Sequence, residues 1–375
     1  MDALPIDLPT PERSALDWDR LVETFAWMRS LAGCPQDPIH HAEGDVWVHT
    51  RMVCETMIAM PAWRALPERE RATVLAAGIF HDIAKPATTR CDADGRITAH
   101  GHSRRGALMA RSELYRMGVP FALRESVVSL VAVHQLPFFL IDERDARRRA
   151  IGLSYRTRCD HLAILAEADM RGRVCEDASR ALDNVALFRA LCEEDGVLRA
   201  PWDFANETSR FEFFQRPERD PSYAAWEGDE GFEVTLLSGL PGAGKDTWVR
   251  THGGGREVIS LDALRDALDA DATGDQGAVV TAAKERARVM LRRREGFIWN
   301  ATNLTRQRRS ELVALCTDYG ARVRIVYVES PWRELLSQNR ARERRVPEAA
   351  IEGMLSRWEV PDATEAHRVE YVTRD

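Results

Sequence analysis

The chain reads as two domains, an all-α half followed by an α/β half built on a parallel sheet. Three observations predict this. Apolar residues recur every three to four positions through roughly residues 18–200, with few strand-like runs. Beyond about residue 232 short β-prone runs alternate with helical segments. Where that alternation begins, an apolar run enters the Gly-rich turn Gly239-Leu-Pro-Gly-Ala-Gly-Lys245 and a helix follows.

In order along the chain, helical spacing is found in Val46–Met60, Glu70–Ala84, Arg104–Met117, Leu123–Val133, Cys159–Met170 and Ala178–Cys192. The Pro- and charge-rich stretch 206–231 reads as a linker between a first domain, 1–205, and a second, 232–375. The strands expected in the second are Val234–Ser238, Glu257–Ser260, Phe297–Ala301 and Arg322–Val328. There is no internal repeat.

At 375 residues and 45% hydrophobic, the chain can bury two ordinary cores. No apolar run approaches a membrane span, and the opening residues lack a basic n-region, so no membrane association is expected. The 7 cysteines are scattered without a CxxC pair, which suits a reducing cytoplasm and argues against a zinc ribbon or disulfide frame. A net charge of −7 gives no global field for nucleic acid. Any such contact needs local clusters such as Arg104-Arg105, Arg147–Arg149, Arg292–Arg294, Arg308-Arg309 and Arg340–Arg345, which read equally as solvated helix faces. Only Lys85, Lys245 and Lys284 are lysine, and two of them sit inside motifs. In a chain that otherwise writes Arg, this points to places where a compact ammonium is needed.

The Gly239–Gly244 turn can wrap polyphosphate oxygens with backbone N–H groups, with the following helix N-terminus adding partial positive charge. Gly239, Gly242, Ala243, Gly244, Lys245 and Thr247 are thus the expected nucleotide-binding residues, with Lys245 on the β/γ-phosphates. Asp246 stands where Ser or Thr usually supplies a Mg²⁺ ligand, and is expected on that ion directly or through water. Asp262, with Arg265 three residues on, offers a base for an attacking hydroxyl and a phosphate clamp; a helix-capping Asp is the structural alternative. Trp248, Trp299 and Trp332 read as packing.

In the first half His49, His81-Asp82, His102, His134 and Asp169 lie on separate helical segments. Imidazoles and carboxylates converging inside a bundle are how helical proteins build hydrolytic metal sites. The ordered set resembles the HD superfamily of metal-dependent phosphohydrolases over about 40–175, and His81-Asp-Ile-Ala-Lys-Pro through Gly-His102-Ser-Arg-Arg-Gly looks especially like the HD domains appended to tRNA nucleotidyltransferases. That resemblance implies His49, His81, Asp82 and Asp169 as the basic ligand set for one or two divalent transition-metal ions. It adds His102 and His134 for a second position and Lys85 on the substrate phosphate. Spacing admits His100 in place of His102, and Arg104 and Arg105 are candidate phosphate clamps.

The order of P-loop, Asp262 with Arg265, Thr302-Asn303, Pro331-Trp332 with Glu334-Leu335, and an Arg-rich segment before Val346-Pro347 resembles the 5′-hydroxyl polynucleotide kinase of the phage end-healing enzyme. By that resemblance Arg342 contacts the donor phosphates, with Arg344 and Arg345 as neighbours. Ala301 stands where the phage enzyme carries an acidic residue. An HD domain ahead of such a kinase resembles the bacterial HD-Pnk family. The resemblance implies a phosphohydrolase acting on 2′,3′-cyclic or 2′(3′)-phosphate ends and a kinase using ATP or another NTP with Mg²⁺ on 5′-OH ends. RNA or DNA ends are then the substrate and a separate ligase the partner. The alternatives are a small-molecule kinase fused to a nucleotidase, and a non-catalytic nucleotide sensor.

Overall fold

The structure is a computed structural model that describes residues 4–9, 15–176, 178–226, 231–269, 277–342 and 345–374. The chain divides into two compact units, Met1–Trp202 and Asp203–Asp375.

The first unit is helical. Its main elements are α1 (Val46–Ala59), α2 (Glu68–Phe80), α3 (His102–Arg116), α4 (Phe121–Val133), α5 (Cys159–Arg171) and α6 (Ala178–Glu194). Helix α2 is central, packing on α1, α4 and α5, while α3 covers α4 and α6 covers α5. The sequence of α2 explains its place. Thr73 through Phe80 are all buried, so the end of the helix has no polar face and must be enclosed. A side chain at Gly172 would put its Cβ 2.7 Å from the Val53 amide nitrogen. Glycine there lets the end of α5 close on α1, which brings Asp169 to His49. A two-residue antiparallel pair, Arg90–Cys91 with Ile97–Thr98, was not expected from the sequence.

The second unit holds a five-stranded, all-parallel sheet of β1 (Glu233–Ser238), β2 (Glu257–Ser260), β3 (Phe297–Asn300), β4 (Arg322–Glu329) and β5 (Arg368–Thr373), in the order β2-β3-β1-β4-β5. Apolar side chains line both faces of β1: Val234 and Leu236 on one, Leu237 on the other with Trp248 and Ile298. Burial on both sides is what a parallel sheet covered by helices requires. The helices are α7 (Glu207–Gln215), α8 (Lys245–His252), α9 (Leu261–Ala267), α10 (Gly277–Arg292), α11 (Arg306–Thr317), α12 (Trp332–Ala341) and α13 (Glu348–Leu355).

The reading of 206–231 as a linker is corrected for its described residues. Asn206 caps α7 by accepting from the Ser209 amide. Phe211 stacks on His367 and enters the sheet's core. Glu207 pairs with Arg322 and Arg368. This segment therefore packs as part of the second unit. Residues 227–230 lie outside the described residues.

Candidate active sites

In the first unit the six expected ligand residues come together. His81 and His134 follow directly on the last turns of α2 and α4, His102 opens α3, His49 lies on α1 and Asp169 on α5. Three of the imidazoles share one tether. Nδ1 of His81, His102 and His134 contacts the carbonyl oxygen three residues upstream, at Gly78 (2.7 Å), Ala99 (2.7 Å) and Val131 (2.8 Å). With Nδ1–H donating there, Nε2 is left as a bare lone pair, the form a metal ligand needs. His49 Nδ1 lies 2.9 Å from Glu43 Oε1, and that carboxylate is held in turn by His41 and the Val174 amide.

The Nε2 atoms and carboxylates face one another. His49 Nε2 lies 3.2 Å from Asp169 Oδ1, 3.7 Å from Asp82 Oδ2 and 3.3 Å from His81 Nε2. Asp82 reaches His81 at 3.2 Å and His102 at 3.4 Å. Three groups have ligand atoms all within 4.8 Å of one another: His49, His81 and Asp169; Asp82, His102 and His134; and, to one side, His41, Glu43 and His49. Asp82 Oδ1 and the Nε2 atoms of His102 and His134 are buried without a hydrogen-bond partner. Orphaned buried acceptors are costly unless something satisfies them. One or two divalent cations fit this donor set.

Electrostatics agree with that reading at Asp82 and His134, whereas at His81 burial is outweighed by the carboxylates of Asp82 and Asp169, which raise its pKa. Burial raises the Asp82 carboxyl, but the imidazole of His81 and the ammonium of Lys85 outweigh it and hold the group well below the usual carboxylate range. Burial, helped by His81 and His102, pushes His134 down to about 3, so its imidazole stays neutral. Lys85 Nζ bridges Asp82 Oδ2 (2.8 Å) and Gln36 Oε1 (2.5 Å). Asp169 is gripped in bidentate fashion by Arg173, at 2.9 and 2.7 Å. A cleft of about 610 Å³ opens over the cluster, with Lys85, His102 and Arg173 among its lining.

The structure separates the residues whose roles the sequence left open. His102 is buried beside Asp82, whereas His100 is exposed on the cleft wall. Arg104 and Arg105 are exposed and do not line the cleft; Arg105 instead donates to the Ala87 carbonyl. Glu43 and Arg173, which contact the candidate ligands His49 and Asp169, and Gln36, which holds Lys85, were not read from the sequence. Arg173 was the accessible one, since it stands four residues after Asp169 on one helical face.

In the second unit the Gly-rich turn joins β1 to α8. Gly239 has φ +149°, and a Cβ there would collide with the Val328 carbonyl oxygen, so only glycine lets the loop pass β4. The Gly239 amide donates to the Thr302 carbonyl at 2.9 Å. Asn303, at φ +42°, donates from Nδ2 to the Leu237 carbonyl at 2.7 Å and accepts from Ser238 Oγ at 3.1 Å through its own carbonyl. The Thr302-Asn303 pair thus fastens the phosphate loop. Lys245 Nζ curls back to the carbonyls of Gly239 (2.9 Å) and Leu240 (2.8 Å), and burial lowers its pKa to about 8 against the pull of Asp246.

Around the loop, Asp262 Oδ1 meets Arg265 Nη1 at 2.5 Å. Arg342 Nη2 lies 3.7 Å from Asp262 Oδ2 and 3.5 Å from Asp246 Oδ2. Asp246 Oδ1 accepts from Asn300 Nδ2 at 2.7 Å. Thr247 is exposed on the first turn of α8, and Ala243 is buried in the loop. Trp248 and Trp299 are buried, as packing residues should be. Arg344 lies outside the described residues. Of the other arginine clusters, Arg309 is buried in a bidentate pair with Glu365, Arg147 meets Asp195 and Arg340 meets Glu348.

Residues 46–170 match the HD domain family, and residues 234–361 match the AAA domain family. This chain is an HD domain fused to a P-loop kinase-like domain. Among curated proteins it is similar to the CC-adding tRNA nucleotidyltransferase of Thermus thermophilus, at 34% identity over 32% of this chain and 25% of that one. It is similar also to the Multifunctional CCA protein of Ralstonia nicotianae, at 33% identity over 47% and 39%. The chain thus spans less than half the length of either relative. A solved kinase-like protein from Chloroflexus aurantiacus is 17% identical over 39% of this chain and 87% of that one, with a TM-score of 0.33. No helix among the described residues is long and apolar enough to cross a membrane.

Proposed function

We propose that the chain heals broken nucleic-acid ends, RNA foremost. The HD half removes a 2′,3′-cyclic phosphate or a 2′(3′)-phosphate, and the kinase-like half phosphorylates a 5′-OH. One observation carries this reading: a single chain holds two sites equipped for phosphate, one with a hydrolytic donor set and one with a phosphate loop beside a carboxylate–arginine pair.

In the HD half, His49, His81, Asp82 and Asp169, with His102 and His134, would hold the cations. What such cations supply is water of lowered pKa and polarisation of a phosphoryl oxygen. Lys85, fixed by Gln36 and open to the cleft, places its ammonium where charge on the phosphate must be absorbed.

In the kinase half, the 5′-oxygen attacks the γ-phosphorus of the NTP and the bond from that phosphorus to the β-bridging oxygen breaks. Asp262 accepts the hydroxyl proton, and the nucleoside diphosphate leaves. Arg265 and Arg342 flank that carboxylate and can take up charge on the transferred group. Lys245 is placed to exchange its carbonyl partners for the β/γ-phosphates. Asp246, held by Asn300, would hold the nucleotide's Mg²⁺ directly or through water. The products, a 5′-phosphate and a 3′-OH, are the ends that a separate ligase joins.

The test is one incubation of an RNA oligonucleotide bearing a 5′-OH and a 2′,3′-cyclic phosphate, with ATP, Mg²⁺ and a transition metal, both ends resolved by mass. Conversion to 5′-phosphate and 3′-OH, with the first lost in Asp262→Ala, is the expected result. Unchanged RNA with turnover of free nucleosides and nucleotides would move the protein to small-molecule metabolism.

A further inference from the structure

Phe139 is 61% exposed, and among the described residues of the first unit it is the only exposed Phe, Tyr or Trp; the exposed imidazoles of His40 and His100 line the cleft as well. Single exposed apolar residues are ordinary on protein surfaces. Two features set this one apart. It lines the same cleft that Lys85, His102 and Arg173 line. Its backbone is also fixed on both sides. Phe139 joins two 3₁₀ turns, Leu136–Phe138 and Leu140–Asp142, whose residues Phe138 and Leu140 are buried. Its amide donates to the Leu136 carbonyl (3.1 Å), and its carbonyl accepts from the Asp142 amide (3.0 Å). The largely buried Asn184 of α6 donates from Nδ2 to the Phe138 carbonyl at 2.7 Å and so ties the corner to the bundle. The Phe138 and Phe139 rings meet in a T-shaped contact, at 6.1 Å and 88°, and most of the Phe139 side chain stays open to solvent.

An exposed aromatic ring on a fixed backbone corner, lining one cleft with a phosphate-handling cluster, suits a ligand that carries a planar ring and a phosphate together. We infer that Phe139 is a specificity residue of the HD site, stacking on the base of the nucleotide whose phosphate is removed. The inference rests on the end-healing reading and deepens it. The HD site then recognises a nucleoside phosphate rather than phosphate esters at large. Stacking tolerates any base, because every base has a π-face, so discrimination is between nucleotide and non-nucleotide esters, not among sequences.

The experiment compares the metal-loaded protein with Phe139→Ala and Phe139→Trp on two substrates: an oligonucleotide ending in a 2′,3′-cyclic phosphate, and glycerol 2-phosphate, which has no ring. Loss of one base–aromatic stack corresponds to roughly a 5- to 150-fold effect. Phe139→Ala is expected to raise KM for the oligonucleotide within that range and leave kcat and glycerol phosphate hydrolysis unchanged. Phe139→Trp should restore the wild-type KM. Equilibrium binding of a nucleoside 3′-monophosphate should weaken in Phe139→Ala while inorganic phosphate binding holds. Equal loss on both substrates, or no change on either, overturns the inference. If the wild type hydrolyses neither substrate, the end-healing reading fails, and the two binding measurements still decide the role of Phe139.

Discussion

At the HD site the six candidate ligand side chains belong to residues between 0% and 7% exposed, and three of the imidazoles are tied to their own backbone. At the kinase site the carboxylates of Asp246 and Asp262 are each 68% exposed, and their partners are other functional side chains, Asn300, Arg265 and Arg342. The first arrangement is completed by folding. The second is a set of mutual contacts between exposed side chains, which under the proposed function a nucleotide and an acceptor displace. The proposed chemistry accounts for the difference. Hydrolysis gains from donors fixed before substrate arrives, since nothing need reorganise as charge develops. A kinase must admit two substrates and then exclude water, so part of its charge has to remain movable.

That contrast can be broken most directly by removing one residue from each site. His81→Ala is expected to abolish end-phosphate removal and leave 5′-kinase activity near wild type. Asp262→Ala should lower kinase kcat by about 10²- to 10⁴-fold, the usual worth of a positioned base, with hydrolysis untouched. Both activities are read on the same doubly marked RNA, and parallel loss in either variant would mean that the sites are not independent. A sharper probe of the prefolded HD site is Arg173→Gln, which loosens the grip on Asp169. Its metal affinity, titrated by equilibrium dialysis, should fall by about 10- to 100-fold, as for other partners that orient ligands. The smallest effect belongs to the movable site. Asn300→Ala removes one hydrogen bond from an exposed carboxylate and should raise the Mg²⁺ concentration for half-maximal kinase activity by roughly 2- to 10-fold. An effect on the scale of Arg173→Gln would show Asp246 to be as rigidly held as Asp169.

The elements legible in the sequence are those whose signal is local. Strand β2 has the bounds that alternation predicts, and helix α1 begins at Val46 as expected. His81 and His134 each follow a short apolar run, Val74–Phe80 and Leu130–Val133, and stood out as members of the ordered set with His49, Asp82, His102 and Asp169. What was missed depends on distant partners. Gln36 meets Lys85 across 49 residues, and Glu43 meets Val174 across 131. No window of sequence joins such pairs. Strand β5 went unread because Arg368–Thr373 pairs only with β4 and is nowhere fully buried, so it lacks the apolar run of an inner parallel strand. Helix α7 carried its signal in Asn206 and Phe211, but the surrounding prolines and charges outweighed it.

The scarcity of lysine gives the protein a practical property. Two of its three primary side-chain amines, those of Lys85 and Lys245, lie in the candidate sites, and the third, Lys284, sits near Glu311. With a pKa near 8, Lys245 is largely unprotonated at mildly alkaline pH, where an ordinary lysine remains mostly charged and reacts more slowly. An acylating reagent applied under those conditions becomes an occupancy gauge: peptide mapping of Lys245 reports how much of the phosphate loop is free, and Lys284 serves as the built-in reference.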